Sequence, residues 1–93
     1  AAPAFAAAYP GAVVASSDTN GRGGVIAFRT EDSPGAVIAF YRAATRRAGL
    51  AQTELVVDGR HAALSAGREG RSLAVDASAV GNFTAVSLVF RAR

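Results

Sequence analysis

The sequence predicts an α+β domain, ββαββββ in order, with one helix packed on one face of an antiparallel sheet. Three observations predict it. Only Ser33 to Gly49 carries helix signals at both ends. Short glycine-bearing turns separate alternating apolar and polar segments on both sides of it. Finally, pairing registers set independently at those turns put one consistent apolar set on one sheet face, although a one-residue slip would turn a strand over.

Taken in order, residues 1–11 read as a flexible Ala/Pro lead-in, closed by the turn Tyr9-Pro10-Gly11, and residues 12–93 as a single domain. Asn20-Gly21 is the dipeptide a type I′ hairpin turn prefers. Centring a turn there pairs Val13 with Phe28 and Ala15 with Ile26. The glycine-rich run Asn20 to Gly24 joins two strands, so it is a hairpin and lacks the strand-to-helix context of a phosphate loop.

The helix follows. Ser33 is its N-cap and Pro34 occupies the first turn, where no N–H is required. Val37, Phe40, Tyr41, Ala44 and Ala48 recur at the helical period and form the expected buried stripe, with Arg42, Thr45 and Arg46 turned away. Gly49 suits the left-handed position that ends a helix, and Leu50 the apolar contact after it.

A four-stranded meander completes the chain. A turn at Asp58-Gly59 pairs Leu55 with Ala62. The loop Gly67 to Gly70 pairs Leu64 with Leu73 and Ala62 with Val75. A turn at Gly81-Asn82 pairs Leu73 with Phe90 and Val75 with Leu88. The expected inner face then comprises Val13, Ala15, Ile26, Phe28, Leu55, Val57, Ala62, Leu64, Leu73, Val75, Ala77, Val86, Leu88 and Phe90. The preferred strand order is 1-2-6-5-4-3, as in helix-grip and TATA-binding-protein-like folds, with an order placing strand 1 between strands 2 and 3 as the alternative.

Composition narrows the chemistry. The 93 residues include no cysteine, which excludes disulfides, thiolate metal sites and thiol catalysis. All ten basic residues are arginine, and they are spread along a chain of net charge +3. A nucleic-acid footprint would be clustered, so nucleic acid is not an expected partner. No stretch approaches the ~20 apolar residues of a membrane-spanning helix.

On the face opposite the helix, the registers collect Val25, Ala27, Arg29, Val56, His61, Ala63, Ala74, Asp76, Ala85, Ser87 and Val89. These are mostly small or apolar, where a solvated sheet face would carry long polar side chains. They form the candidate interaction face. His61 is expected opposite Asp76, and Asp76 opposite Ser87. A hydrolytic triad needs the histidine between acid and nucleophile, whereas here the acid is central, so the row reads as a cross-strand pair. A lone histidine is also a poor basis for a metal site. No catalytic, metal or cofactor residue is assigned. Arg42, Arg46 and Arg47, with Arg91 and Arg93 as further members, form a candidate anion cluster.

Tyr9-Pro10-Gly11-Ala12, Thr30-Glu31-Asp32-Ser33-Pro34, Phe40-Tyr41-Arg42 and Ala48-Gly49 together make a pattern. In it the chain resembles small exported or lipoprotein-type bacterial α+β domains. That resemblance, with the A-x-A pattern of the opening residues, implies a periplasmic or cell-envelope setting and no catalytic residue. The expected function is a non-enzymatic interaction module that self-associates or docks through the open sheet face. The alternative is a ligand- or anion-binding module, nucleic acid included, working through the arginine-bearing helix surface.

Overall fold

In the computed structural model, residues 3–92 are described; Ala1 and Ala2 of the expected lead-in and Arg93 of the expected basic cluster lie outside them. The elements are β1 (Val13–Asn20), β2 (Gly23–Thr30), α1 (Pro34–Arg47), β3 (Ala51–Val57), β4 (His61–Arg68), β5 (Arg71–Val80) and β6 (Phe83–Arg91), preceded by a 3-10 turn at Ala4–Ala6. All pairings are antiparallel and the strand order is β1-β2-β6-β5-β4-β3. This is the preferred order, and the alternative with strand 1 between strands 2 and 3 does not occur.

α1 is bounded as its sequence dictates. Ser33 Oγ accepts the Ala36 N–H at 3.2 Å, and Pro34 fills the first turn. At the other end Gly49 takes φ +79°, while the N–H groups of Gly49 and Leu50 donate to the carbonyls of Arg46 and Thr45. This is the two-bond Schellman closure, with Leu50 buried as its apolar contact. Arg68 Nη1 adds a bond to the Gly49 carbonyl at 3.3 Å.

The buried stripe is wider than the helical period alone indicates. Val37, Tyr41 and Ala44 are buried as expected, but Ile38 and Thr45 are also buried, whereas Phe40 and Ala48 are only half-buried. Thr45, expected to point away, escapes the cost of burying a hydroxyl because its Oγ1 donates within the helix, to the Tyr41 carbonyl at 2.9 Å. Val37, Ile38, Tyr41, Leu64, Leu73, Val75 and Leu88 are each at most 1% exposed, so the layer between helix and sheet is filled.

The turns correct the expected registers in an instructive way. Asn20 and Asp58 are the first residues of their turns, outside the central pair. Asn20 Oδ1 accepts from the N–H groups of Arg22 and Gly23, and Asp58 Oδ1 from those of Arg60 and His61. The central residues are therefore Gly21-Arg22 and Gly59-Arg60, with Asn20 opposite Gly23 and Val57 opposite Ala62. The expected loop at Gly67 to Gly70 tightens to Glu69-Gly70, both at positive φ, so that Leu64 faces Val75 and Ala62 faces Ala77. Moving a two-residue turn by one position changes each pairing by two, so every side chain keeps its face. The Gly81-Asn82 hairpin has the expected register, with Leu73 opposite Phe90 and Val75 opposite Leu88.

Faces change only at bulges. The register breaks between Val14 and Ser16 in β1, and between Gln52 and Glu54 in β3. Beyond the first bulge Val14 faces Phe28 and Val13 faces Arg29, so Val13 leaves the expected inner set and lies 57% exposed; Ala15 is exposed within the bulge. Both bulges lie on the two edge strands, where an unpaired residue and a local kink blunt pairing with another chain. Val57 keeps its inner-face position but is 58% exposed, and Leu55 is only half-buried, because α1 does not cover this corner of the edge.

Residues 3–11, read from the sequence as a lead-in, pack with the domain. Phe5 and Ala6 are buried against the core, and Tyr41 Oη donates to the Ala7 carbonyl at 2.7 Å. Tyr9 stacks over Phe28 and meets Phe40 edge-on, with ring centroids 6.5 and 5.2 Å apart, and its hydroxyl donates to Asp32. The short sequence patterns around Tyr9, Asp32 and Phe40-Tyr41 therefore converge on one aromatic cluster.

Candidate functional site

The sheet's two faces differ in what covers them. On the outer face, antiparallel register sets four neighbouring residues in a row, Arg29, Ala85, Ser78 and His61. The next row is Ala27, Ser87, Asp76, Ala63 and Val56, and the next Val25, Val89, Ala74, Ser65 and Glu54. All eleven residues of the candidate interaction face therefore share one side of the sheet. Alanine and serine make its floor, and a shallow trough of about 500 Å³ runs over Ala63, Ser65, Ala74, Ala85 and Ser87 between Glu54 and Val89. Val25, Val56 and Val89 are 46%, 43% and 50% exposed.

His61 and Asp76 meet on this face by a different route from the expected one. Ser78 is opposite His61, and Ala63 is opposite Asp76. The contact is diagonal, with His61 Nε2 2.8 Å from Asp76 Oδ1. Diagonal neighbours remain within reach of long side chains. Both groups are well exposed, so the pair is worth at most about 1 kcal/mol. Ser87 is directly opposite Asp76, as expected, and the acid remains between serine and histidine, which is the wrong order for a triad. Among the described residues no group of three or more His, Asp or Glu side chains could hold a metal ion.

The three helix arginines do not form a common pocket. Arg42 and Arg46 flank a hollow of about 110 Å³ beside Thr45, Leu50 and Gln52, and Arg47 does not line it. All three are exposed. Arg46 and Arg47 occupy the last turn of α1, where positive charge suits the helix dipole.

One further grouping escaped the sequence. Phe83, directly after the Gly81-Asn82 turn, shares the outer side with Arg29, whose guanidinium carbon lies 5.8 Å from the ring centroid. Its outward position was legible from the alternation of β6; its nearness to Arg29 required the β2–β6 pairing.

A family model described as START domain-like matches residues 12–85. The chain belongs to the START domain-like family. Neither a curated protein nor a solved structure matches it. The matched span runs from just before β1 into β6 and leaves out the Phe5–Tyr9 segment. In this START domain-like domain, no helix among the described residues is long and apolar enough to cross a membrane.

Asp58 links a turn next to the face to pH. Its carboxylate is held below the ordinary value chiefly by the backbone N–H groups of Arg60 and His61. A lowered folded-state pKa contributes stability that is present above the unfolded value, about 3.9, and lost as pH falls through the folded value. Asp58→Asn keeps the accepting oxygen without the titration. Thermal unfolding should therefore show a shallower loss of stability in acid for the variant than for the wild type; equal acid slopes would contradict this role.

Proposed function

We propose that this START domain-like domain is a non-enzymatic interaction module that docks a second copy of itself through the open sheet face. The observation that carries the reading is the half-exposure of Val25, Val56 and Val89 around a floor of alanine and serine. Six strands ~4.8 Å apart and these three rows of outward side chains ~6.8 Å apart give a face of about 600 Å² in projection. That is of the same order as the ~800 Å² each partner buries in a standard interface. Two such faces have small side chains and no helix to hold them apart, so sheets can approach to the ~10 Å of sandwich packing. Family membership accords with a binding role. An envelope setting, carried by the resemblance to exported domains, belongs to the same proposal. The alternative, anion binding at Arg42, Arg46 and Arg47, has only the small hollow beside two of them in its favour.

The test is oligomeric state by sedimentation or light scattering. Ala74→Arg, near the centre of the face, should weaken self-association at least ~10-fold, because an unpaired charge buried there costs more than the ~1.4 kcal/mol such a factor represents. A wild-type chain that stays monomeric at ~1 mM, where even about −4 kcal/mol of association registers, would rule the reading out.

A further inference from the structure

Beside the open face, at the end of the sheet where β2 runs out and β6 begins, lies a cavity of about 510 Å³. Its volume is within the ~300–1,000 Å³ usual for small-molecule sites. Gly11, Val13, Arg29, Glu31, Asn82 and Phe83 line it. Val13 and Phe83 supply apolar walls, and the Arg29 guanidinium carbon lies 5.8 Å from the Phe83 ring centroid. Arg29 is exposed, so its forked N–H donors are open to a ligand in this hollow. Among the described residues the Arg29 side chain forms no ion pair and donates no hydrogen bond, although Glu31 belongs to the same lining. An arginine beside an aromatic ring, with no side-chain partner among the described residues and an apolar wall next to it, fits the recognition of an oxyanion joined to an apolar body.

The charge balance selects among oxyanions. One arginine faces one glutamate in the lining, so a dianion such as phosphate meets repulsion from Glu31 that a single negative charge meets less. The guanidinium fork can hold either oxyanion with two parallel bonds, so the charge balance makes the choice. We infer that this cavity binds a monocarboxylate carrying an apolar or aromatic group, with Arg29 holding the carboxylate and Val13 and Phe83 receiving the apolar part. Arg29 also belongs to the end row of the docking face. The two readings are told apart by substitution: Ala74, the test position for docking, does not line this site.

The experiment is a titration of the isotope-labelled chain with phenylacetate, followed by backbone amide shifts. Phenylacetamide and inorganic phosphate are the matched controls. Saturable shifts centred on Gly11, Val13, Arg29, Asn82 and Phe83 are expected with phenylacetate. Phenylacetamide should bind at least tenfold more weakly, and phosphate should give no saturable shift at these amides. Arg29→Gln should weaken phenylacetate at least tenfold, Arg29→Lys should recover only part of the loss, and Arg60→Gln should behave as wild type. A matching amide spectrum away from the cavity shows that the Arg29 variants are folded. Equal binding of the amide, tighter binding of phosphate, retention of phenylacetate binding in Arg29→Gln, or shifts that never saturate would each overturn the inference.

Discussion

Replacing Tyr41 by alanine is expected to lower the unfolding free energy by about 3–5 kcal/mol, the range for removing a large aromatic side chain from a packed core. Tyr41 is fully buried at the centre of α1's inner stripe. Its ring meets Phe40 edge-on at 5.0 Å and Phe28 at 6.5 Å. Its hydroxyl also holds the Ala7 carbonyl, and burial pushes that hydroxyl's pKa well above the ordinary tyrosine value. A small domain with only about 5–15 kcal/mol in total has little reserve against such a loss. Tyr41→Phe separates the two contributions. It keeps the packing and removes one hydrogen bond, so it should cost about 1 kcal/mol. The loss should be felt first in the segment before β1, as faster amide exchange around Ala6 to Tyr9. Denaturant midpoints of the two variants check the ranking, and equal destabilisation would place the hydroxyl, rather than the ring, at the centre of the effect.

Gly24→Ala is the second large effect, and here backbone proximity decides the sign. A methyl group on Gly24 would lie 2.5 Å from the Asp18 carbonyl oxygen and 2.7 Å from Thr19 Cα. Both are backbone atoms of β1, so relief requires the strand to move. Removing glycine ordinarily stabilises a chain by about 0.4–1 kcal/mol through the unfolded state. Overpacking of a rigid site costs typically about 1–3 kcal/mol, so the clash wins. Net destabilisation and faster exchange along β1 are expected. Gly35→Ala is the counter-case, because nothing lies within 4 Å of the added methyl group and the site is in the helix's first turn. It should be neutral or stabilising by up to about 1 kcal/mol. Thermal unfolding of both variants tests the contrast, and a stabilised Gly24→Ala would refute it.

Much of the architecture was legible because its signals are local. Ser33, Pro34 and Gly49 bound the helix through bonds to residues a few positions away, and strand alternation is a property of the backbone itself. The face assignment survived three misplaced turns for a physical reason. Asn20 and Asp58 accept backbone N–H groups from the first turn position, which displaces their turns by one residue, and the third turn closes on Glu69-Gly70. In all three the pairing changes by two, which the two-residue period of a strand absorbs. The edge bulges were not legible, since nothing in Val13-Val14-Ala15 or Gln52-Thr53-Glu54 marks an unpaired residue. Ile38 and Thr45 were missed because the width of a buried stripe depends on what lies across from it.

The candidate site divides the same way. The eleven outer-face residues follow from alternation and turn placement, so the sequence by itself determined which side chains share the open face, and where the helix begins and ends. Only the tertiary structure decided how far that helix reaches over the sheet, that Phe5 and Tyr9 pack with the core, and that Arg29 lies beside Phe83. These outcomes depend on distances between side chains remote in the chain. Such distances are set by the twist, bulges and packing of the whole sheet, which no local pattern of residues encodes.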